Sequence, residues 1–381
     1  MRKRIALLLC LLLLVPFAAG CTAVPITEPD AAEESPAAAE EPLKDPEEPA
    51  DPAQQTPGDT EEAPPAETGE TERETGEKSS HYRFQPKVCS SYMTEVFGEK
   101  MTETWFSLVD AVMAGEDSFA CPDADTYWWV MGQYPDRCFP VLKDLIYYGV
   151  DVDHPVKDGV ASFTYTVPRE EAAARIADFA QFVEEILNET LEDDYSDMEK
   201  ALTLYIYFSH SYIYDYEAAR PDAAPDYLSS YRVFSTGTGI CQEFSVAYSY
   251  LLLQAGVDAS VMSGHRSYDG EGHQWSYVRI NGRSFHIDPT YVIGDSDSLS
   301  YFMMDDAQRE AADCYDREDF VICSHYSQEH PHPDYAADDD SFRAIWGGRF
   351  EALDHEKRIL TYTAYNEQGE LETLRFDYTG W

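Results

Sequence analysis

Two strand-like segments meet at a single Asn-Gly pair in the C-terminal half of the chain. Residues 273–291 (HQWSYVRINGRSFHIDPTY) place Asn281-Gly282 between these segments, and this dipeptide favours a two-residue turn that joins antiparallel strands. Such a turn fixes the register, because the numbers of paired residues must then sum to 563. Since side chains alternate along a strand, His273 and Asp288 become diagonal neighbours on one face. The hairpin therefore predicts a histidine that is oriented by a carboxylate on an antiparallel sheet.

A cysteine upstream of this hairpin is predicted to begin a helix. Residues 242–255 carry apolar side chains at three- and four-residue spacing, and Gly256 ends the stripe. Cys241 comes directly before them, so the unpaired amides and the positive end of the helix dipole favour its thiolate form. Taken alone, such a cysteine is more often a buried structural residue. Together with His273 and Asp288, it completes the residue set of nucleophilic acyl transfer.

These parts follow one another in an order that is typical of one family. Three runs resemble the motifs of the transglutaminase-like superfamily: Gly239-Ile240-Cys241, His273-Gln274-Trp275 and Asp288-Pro289-Thr290-Tyr291. The resemblance covers roughly residues 196–310 and includes Tyr214-Asp215 and a strand at Tyr301-Phe302-Met303. It implies that Cys241 is the nucleophile, His273 the general base and acid, and Asp288 the orienting carboxylate. Gln274 and Ser276 stand where Ala and Asn are common in the family, which implies an altered pocket with an intact triad.

The resemblance also implies a fold and part of the catalytic machinery. The fold class is α+β, with a papain-like or transglutaminase-like core in which the cysteine helix packs on an antiparallel sheet, preceded by a mostly helical region. An oxyanion hole would use the backbone N–H of Cys241 and one upstream donor, which the sequence does not identify. No cofactor and no metal are expected.

The predicted reaction is acylation of Cys241 by an amide, with His273 protonating the leaving amine. Attack of water on the thioester would make the protein a protease or amidase, whereas attack of a lysine side chain would form a cross-link. The residues do not separate these outcomes, and the resemblance to bacterial members of the family favours hydrolysis. The expected substrates are proteins or peptides, including those of the cell envelope. The alternative is a non-catalytic binding or structural lipoprotein that has kept the fold.

The first twenty residues have the layout of an export signal. Residues 2–4 are basic, and residues 5–17 form an apolar stretch that is too short for a comfortable membrane span. Residues 17–21 (FAAGC) resemble the lipobox of bacterial lipoproteins, which implies lipidation of Cys21. The expected location is the extracytoplasmic face of the cell membrane, with the chain held by its lipid. A plain secretory signal with an incidental cysteine is the alternative.

Residues 21–80 are predicted to be the anchor cysteine followed by a disordered acidic spacer. Residues 22–80 contain ten prolines, 18 acidic and three basic residues, and no aromatic one. Such a composition buries too little apolar surface to fold. The whole chain has 27 basic against 72 acidic residues and a formal charge of −45, which excludes nucleic acid as a partner. Residues 81–381 contain 54 acidic and 21 basic residues, and this negative charge favours neutral or cationic substrates. The alternative role for the acidic spacer is to bind a cationic partner.

The rest of the chain is divided into three predicted parts. They are a helical N-terminal region (81–195), the transglutaminase-like core (196–335) and a C-terminal strand extension (336–381). In the first part, a strand at 160–167 precedes a helix that starts at Pro168. Ser196 and Glu199 have the spacing of a capping box at the start of the core. A strand pair is expected at about 358–378.

Several cysteines and histidines remain without a firm assignment. The cluster Cys314, Cys323, His325, His330 and His332 has no zinc-site spacing, so a loop with incidental histidines is favoured over a metal site. Disulfides are permitted by export but not required, and the pairing of Cys89, Cys121, Cys138, Cys314 and Cys323 stays open, with Cys314 to Cys323 as a plausible local bridge. His286 shares the face of Asp288 and is the reserve candidate for the base, whereas His265 is assigned no role.

Overall fold

The centre of the fold is an antiparallel sheet with a helix packed on one face. A computed structural model describes residues 82–220, 228–294, 297–323 and 335–381, and all of them belong to one compact unit. The predicted signal segment, the Cys21 lipidation site and the acidic spacer lie outside the described residues and stay predictions. Among the described residues, no helix is both long and apolar enough to span a bilayer.

The N-terminal region is mostly helical and also contains a small sheet. Its helices are α1 (Ser91–Phe97), α2 (Glu99–Met113), α3 (Ala124–Cys138), α4 (Leu142–Leu145) and α5 (Arg169–Thr190). Its strands are β1 (Ser118–Ala120), β2 (Ile146–Tyr148), β3 (Val156–Lys157) and β4 (Val160–Tyr165), and β4 pairs antiparallel with the other three. The predicted strand therefore ends at Tyr165, two residues early, and the predicted helix begins at Arg169 with Pro168 as its N-cap.

The described part of the core contains four α-helices, one of which begins at the cysteine motif. Its helices are α6 (Asp197–Ser211), α7 (Tyr231–Thr236), α8 (Cys241–Gln254) and α9 (Asp306–Asp313), and a short parallel pair joins β5 (Ile213–Tyr214) to β6 (Thr238–Gly239). The predicted capping box is confirmed, because the Ser196 hydroxyl accepts from the amide of Glu199 at 3.4 Å and the Glu199 carboxylate accepts from the amide of Ser196 at 2.7 Å. Gly256 follows α8 with a φ of +84°, so its left-handed backbone ends the helix as expected.

The central sheet confirms the register that the Asn-Gly turn predicts. Its strands are β7 (Asp258–His265), β8 (Gly272–Ile280), β9 (Arg283–Ile287) and β10 (Val321–Ile322), in the antiparallel order β10-β7-β8-β9. Ile280 pairs with Arg283, which is the predicted pairing. Asn281 and Gly282 both have positive φ angles, 52° and 75°, as a type I′ turn requires.

The predicted strand at Tyr301-Phe302-Met303 is wrong. The chain turns there, because Met303 has a φ of 53°, which interrupts extended backbone. Only Met304 bridges to the sheet, exchanging two backbone hydrogen bonds of 2.9 Å with His286. The segment still covers the edge of β9, since the amide of Asp288 donates to the carbonyl of Tyr301 at 2.9 Å.

Helix α1 attaches the N-terminal region to the turn end of the central sheet. Arg279 on β8 forms an ion pair with Glu95 at 2.9 Å and lies over the ring of Tyr92, with the guanidinium carbon 4.1 Å from the ring centroid. At the start of β7, Asp258 accepts from the Ser90 hydroxyl at 2.8 Å and from the Ser91 amide at 2.9 Å. These contacts hold the N-terminal region against the core at a point remote from the cysteine.

The C-terminal extension is a three-stranded antiparallel sheet instead of the predicted pair. Its strands are β11 (Arg349–Asp354), β12 (Ile359–Tyr365) and β13 (Leu371–Asp377). The predicted pair corresponds to β12 and β13, and β11 adds an edge strand. Glu199, which is fully buried at the start of α6, joins this sheet to the core: its carboxylate accepts from the hydroxyl of Tyr378 at 2.7 Å, contacts His355 Nδ1 at 2.8 Å and is bonded to Arg358.

Replacing Glu199 tests this connection. We expect Glu199→Ala to lower the free energy of unfolding by about 2 kcal/mol, because the partners lose hydrogen bonds to a charged group. Urea unfolding measures the loss, and Glu356→Ala, which removes an exposed carboxylate from the turn between β11 and β12, is the matched control with little effect. An equal loss in both variants would contradict the role assigned to Glu199.

Candidate active site

Cys241 is placed at the head of α8 by a tightly packed approach. It is the first residue of the helix and is only 4% exposed. The preceding Ile240 has no side-chain acceptor, so no side chain caps the helix at that position. Gly239 is required by close packing, since a Cβ added there would lie 2.9 Å from a methyl group of Val233. The sulfur therefore sits at the positive end of the helix dipole, as the sequence predicts.

A buried ion-pair network fixes the segment that leads to the cysteine. Arg232 on α7 donates from Nη2 to Glu243 at 2.6 Å and from Nη1 to Asp215 at 2.6 Å. Glu243 lies in the first turn of α8, and its carboxylate also accepts from the amides of Ile240 at 3.0 Å and Ser229 at 3.2 Å. Burial raises the pKa of Glu243, and Arg232 opposes that shift. The Tyr214-Asp215 segment is thus attached to the cysteine helix through one guanidinium group.

His273 and Asp288 form the buried pair that the hairpin register predicts. His273 Nε2 lies 2.7 Å from Asp288 Oδ2, and the exposed fractions of the two side chains are 1% and 0%. Burial raises the pKa of Asp288, but His273 and Arg309 lower it more, so the net pKa lies below its usual value. An ionised carboxylate can only accept hydrogen bonds. We therefore assign the imidazole proton to Nε2, which leaves Nδ1 as the acceptor for a thiol.

Asp288 is held on both of its oxygen atoms. Oδ1 accepts from the amide of Thr290 at 3.1 Å, while Oδ2 faces both His273 and the guanidinium of Arg309 at 3.2 Å. A carboxylate with fixed contacts on both oxygens cannot rotate freely, so it defines the plane in which the imidazole lies.

The two residues that depart from the family pattern join the histidine strand to the cysteine helix. Gln274 Nε2 donates to the hydroxyl of Ser245 at 2.8 Å and to the carbonyl of Gln242 at 3.2 Å. Ser276 donates to the carbonyl of Ser245 at 2.9 Å. Both residues thus join β8 directly to the first turns of α8. These hydrogen bonds fix the position of His273 relative to Cys241.

His286, the reserve candidate for the base, is removed from the cleft. It is fully buried, and its Nδ1 lies 2.7 Å from the indole nitrogen of Trp275 while Nε2 lies 2.8 Å from Asp306. Because an indole nitrogen can only donate, Nδ1 is the acceptor and Nε2 carries the proton. Burial lowers the pKa of His286, so the ring is neutral near pH 7. Its role is to hold Trp275, whose ring lies 6.0 Å from that of His273 at an interplanar angle of 25°.

Cys241 and His273 line the same cavity, which has a volume of about 290 Å³. One wall comes from the core and includes Gln242 and Gln274. The opposite wall comes from the N-terminal region, which contributes residues of α3 and the loop and helix after it: Gly132, Gln133, Asp136, Arg137 and Lys143. The cleft is therefore lined by both the predicted core and the N-terminal region, in which the sequence predicted no functional residue.

The structure also describes some of the remaining cysteines and histidines. Cys314 is exposed and Cys323 is buried, and the Cys323 sulfur lies 3.3 Å from the hydroxyl of Ser260. The two sulfurs are not bridged, because they occupy different environments, so the suggested local disulfide is wrong for this structure. His325, His330 and His332 lie outside the described residues. His265 contacts Asp319 at 2.5 Å on the rim of the cleft.

The comparison with known families agrees with this geometry. Residues 181–289 match the family model of the transglutaminase-like superfamily. This segment is a transglutaminase-like domain. The resemblance inferred from the three motifs and the α+β fold class are both confirmed. No curated protein is similar enough to the chain to be matched.

Three solved structures are similar to parts of the chain. A TGase is 22% identical over 33% of this chain and 34% of that chain, with a TM-score of 0.26. A candidate cysteine protease from Cytophaga hutchinsonii is 16% identical over 35% of this chain and 51% of that chain, with a TM-score of 0.25. A candidate protease from Parabacteroides distasonis is 11% identical over 36% and 30%, with a TM-score of 0.23. The chain thus spans about half or less of each of these proteins.

Residues outside the transglutaminase-like domain complete the site, and the sequence did not indicate them. Arg309 lies after the last motif, and the α3 wall lies before the first. Arg309 stands on a short helix with alternating polar residues, where an arginine is ordinarily exposed. Only the three-dimensional contact with Asp288 distinguishes it.

Replacing Asp288 with its neutral isostere tests the charge of the buried pair. We expect Asp288→Asn to lower the free energy of unfolding at pH 7 by about 3 kcal/mol, because Arg309 stays buried without its counter-charge. The folded pKa of Asp288 is lowered, so its contribution is present above the unfolded pKa of about 4 and disappears as the pH falls through the folded value. The difference between variant and wild type should therefore shrink below about pH 4.

The matched control for this prediction is Asp319→Asn. Asp319 also faces a histidine, His265, but its side chain is 46% exposed. We expect a loss of at most about 1 kcal/mol at pH 7, measured by urea unfolding as for the first variant. If both variants lose the same stability, or if the Asp288 difference does not depend on pH, the buried charge assignment is wrong.

Proposed function

We propose that the chain is a cysteine acyl-transfer enzyme whose nucleophile is Cys241, with His273 as base and acid and Asp288 as the orienting carboxylate. The observation that carries this proposal is that the helix-start cysteine and the histidine of the buried His–Asp pair line one cleft. A reactive thiolate needs a positive environment, and a base needs a fixed tautomer. The site supplies the first through the α8 N-terminus and the second through the 2.7 Å contact of His273 with Asp288.

The proposed reaction has two steps. The Cys241 sulfur forms a bond to the carbonyl carbon of an amide, the C–N bond breaks, and His273 gives the proton that it took from the thiol to the leaving amine. An acceptor then attacks the thioester, gives its proton to His273, and releases Cys241 as a thiol. With water as acceptor, the products are an amine and a carboxylic acid.

We propose hydrolysis as the main outcome because polar side chains share the lining of the cleft with apolar ones such as Leu228, Val246 and Val321, so the described walls do not form an apolar pocket around Cys241. Gln133, Asp136, Arg137, Lys143, Gln242 and Gln274 all contribute to the lining. Transfer to an amine requires water to be excluded from the thioester, and amide and charged side chains hold water instead. Proteins or peptides, including those of the cell envelope, are the proposed substrate class.

Thiol labelling tests the nucleophile. Cys314 is exposed, so the experiment uses Cys314→Ser as the background in which an iodoacetamide dye reports on Cys241. We expect Cys241→Ala to lose the rapid labelling near pH 7, and His273→Ala to slow it at least about 100-fold. Labelling of the Cys241→Ala variant at the rate of its parent would refute the activated thiol.

A second measurement on the same proteins separates the reactions. A fluorescent primary amine is supplied together with a glutamine-rich peptide, and amine incorporation is compared with peptide cleavage and ammonia release. We expect peptide cleavage or ammonia release without incorporation of the fluorescent amine. Incorporation in excess of release would replace the hydrolase by a transferase, and the absence of both, with rapid labelling retained, would favour the non-catalytic binding lipoprotein.

We also propose that the enzyme is held at the extracytoplasmic face of the membrane by a lipid on Cys21. Support comes from the basic, apolar and FAAGC segments at the start of the sequence, and the acidic residues that follow would act as a spacer. We expect the full chain expressed in a bacterium to partition into the detergent phase of a phase-separating detergent, and Cys21→Ser to move it to the aqueous phase. Cys10→Ser, in the apolar segment, is the control that should not change partitioning; retention of the Cys21→Ser protein in the detergent phase would contradict the anchor.

A further inference from the structure

Arg309 is a buried cation at the back of the proposed triad. It lies on α9, outside the segment that matches the family, and its side chain is fully buried. Its Nη1 atom is 3.2 Å from Asp288 Oδ2, and Nη2 is 3.7 Å from Asp313 Oδ2. The imidazole of His273 contacts the same oxygen of Asp288 at 2.7 Å. Arg309 and His273 thus share one oxygen atom of Asp288, and His273 also lines the cleft.

The guanidinium group is held mainly by charge and by aromatic rings. Within the part of the chain that the structure describes, none of its three nitrogen atoms forms an aligned hydrogen bond. Its central carbon lies 4.4 Å from the ring centroids of both Trp275 and Tyr315. Such cation–π contacts stabilise a buried cation, but a buried charge with few hydrogen bonds still destabilises the folded state. Arg309 therefore has a role other than stabilising the folded state.

The rings that hold Arg309 are themselves fixed. Trp275 is bonded to His286, His286 to Asp306, and Arg317 donates to Asp306 at 2.8 Å. Tyr315 and Trp275 also lie near-parallel to the imidazole of His273, each at a centroid distance of 6.0 Å. The same two rings thus contact the base and the cation, so a change in Arg309 is transmitted to Asp288 without an intervening flexible side chain.

Arg309 supplies a positive charge beside Asp288 that does not depend on the protonation state of His273. The imidazole is neutral before it takes the thiol proton, and in that state it adds no positive charge beside the buried Asp288. A guanidinium group stays charged at every pH at which proteins fold. It can therefore keep the carboxylate ionised during the half of the cycle in which His273 is neutral.

We propose that Arg309 is a positioning residue that keeps Asp288 ionised and fixes the oxygen atom to which His273 is bonded. The inference rests on the proposed function, because it assigns Arg309 a role in preparing His273 as a base. The groups that face Asp288 from the neighbouring elements are His273 on β8, Asp313 on α9, Tyr205 on α6, and Tyr291, Tyr301 and Tyr315 in the adjoining loops. Among these, Asp313 is the anion that competes for Arg309.

The pH dependence of Cys241 labelling tests this role. The variants Arg309→Met, Arg309→Lys and Asp313→Asn are prepared in the Cys314→Ser background, and the rate of iodoacetamide labelling is measured between pH 5 and 9. We expect Arg309→Met to move the acid limb of the profile upward by about one pH unit, which is a ten-fold lower rate at a pH on that limb. Arg309→Lys keeps the charge, so its profile should lie close to that of the parent protein. Asp313→Asn removes the competing anion and should move the limb the other way, by roughly half a unit.

The controls separate a structural role from a positioning role. Arg343→Met removes a guanidinium paired with Asp305 at 2.5 Å, the N-cap of the same helix, and should leave the profile in place. If folded Arg309→Met keeps the wild-type profile, Arg309 serves packing only and the proposal is wrong. If Arg309→Met does not fold, an Asp313→Asn profile that is unchanged or shifted upward overturns it instead. Failure of the proposed function has a different signature: the parent protein would then label no faster than His273→Ala.

Discussion

The structure depends on keeping a carboxylate and an imidazole together where water cannot reach them. Asp288 and His273 are almost completely buried, and removing charged groups from water is costly unless each has a counter-charge and hydrogen bonds. Three separate parts of the chain meet this requirement: β8 brings the imidazole, the end of β9 brings the carboxylate, and α9 brings the guanidinium. The Asn281-Gly282 turn sets the register of the first two, and packing of α9 under the sheet adds the third.

Two series of histidine, aspartate and arginine lie near Trp275: His273-Asp288-Arg309 and His286-Asp306-Arg317. The two histidines differ in their surroundings. In one series, His273 reaches the cleft and is 4% exposed; in the other, His286 is fully buried and bonded to the indole of Trp275. The residue types are the same, so chemistry alone does not distinguish a base from a structural histidine. The difference lies in the surroundings: the Nδ1 atom of His286 accepts from the Trp275 N–H, whereas His273, which is bonded to its carboxylate through Nε2, lines the cavity that Cys241 also lines.

Local rules predicted the parts of the fold that depend on neighbouring residues. The turn register, the Ser196 capping box, the end of α8 at Gly256 and the stripe of α5 follow from spacing and turn chemistry. The predicted strand at 301–303 failed because the left-handed backbone of Met303 is not visible in an apolar run, and β11 was missed because it is an exposed edge strand with little alternation. The positions of Cys241, His273 and Asp288 could be predicted because two of them lie on one hairpin and one begins a helix, while their catalytic roles stay a prediction. Arg309 and the α3 wall could not be found, because their positions depend on how distant segments pack.

The packing of distant segments also determines which side chains line the cleft. The transglutaminase-like domain alone would present Cys241 and His273, and further lining residues come from α3 and the segment after it. Helix α3 is joined to the core by Asp136, which accepts from the amide and the hydroxyl of Ser230 at 2.8 and 2.9 Å. In the proposed reaction, the thioester on Cys241 would be bordered by amide and charged side chains of the N-terminal region. The folded part carries a large negative charge, yet Arg137 and Lys143 line this wall. Because interactions at such short range outweigh the screened field of distant carboxylates, the proposed enzyme would select its acyl group through this wall more than through the net charge of the chain.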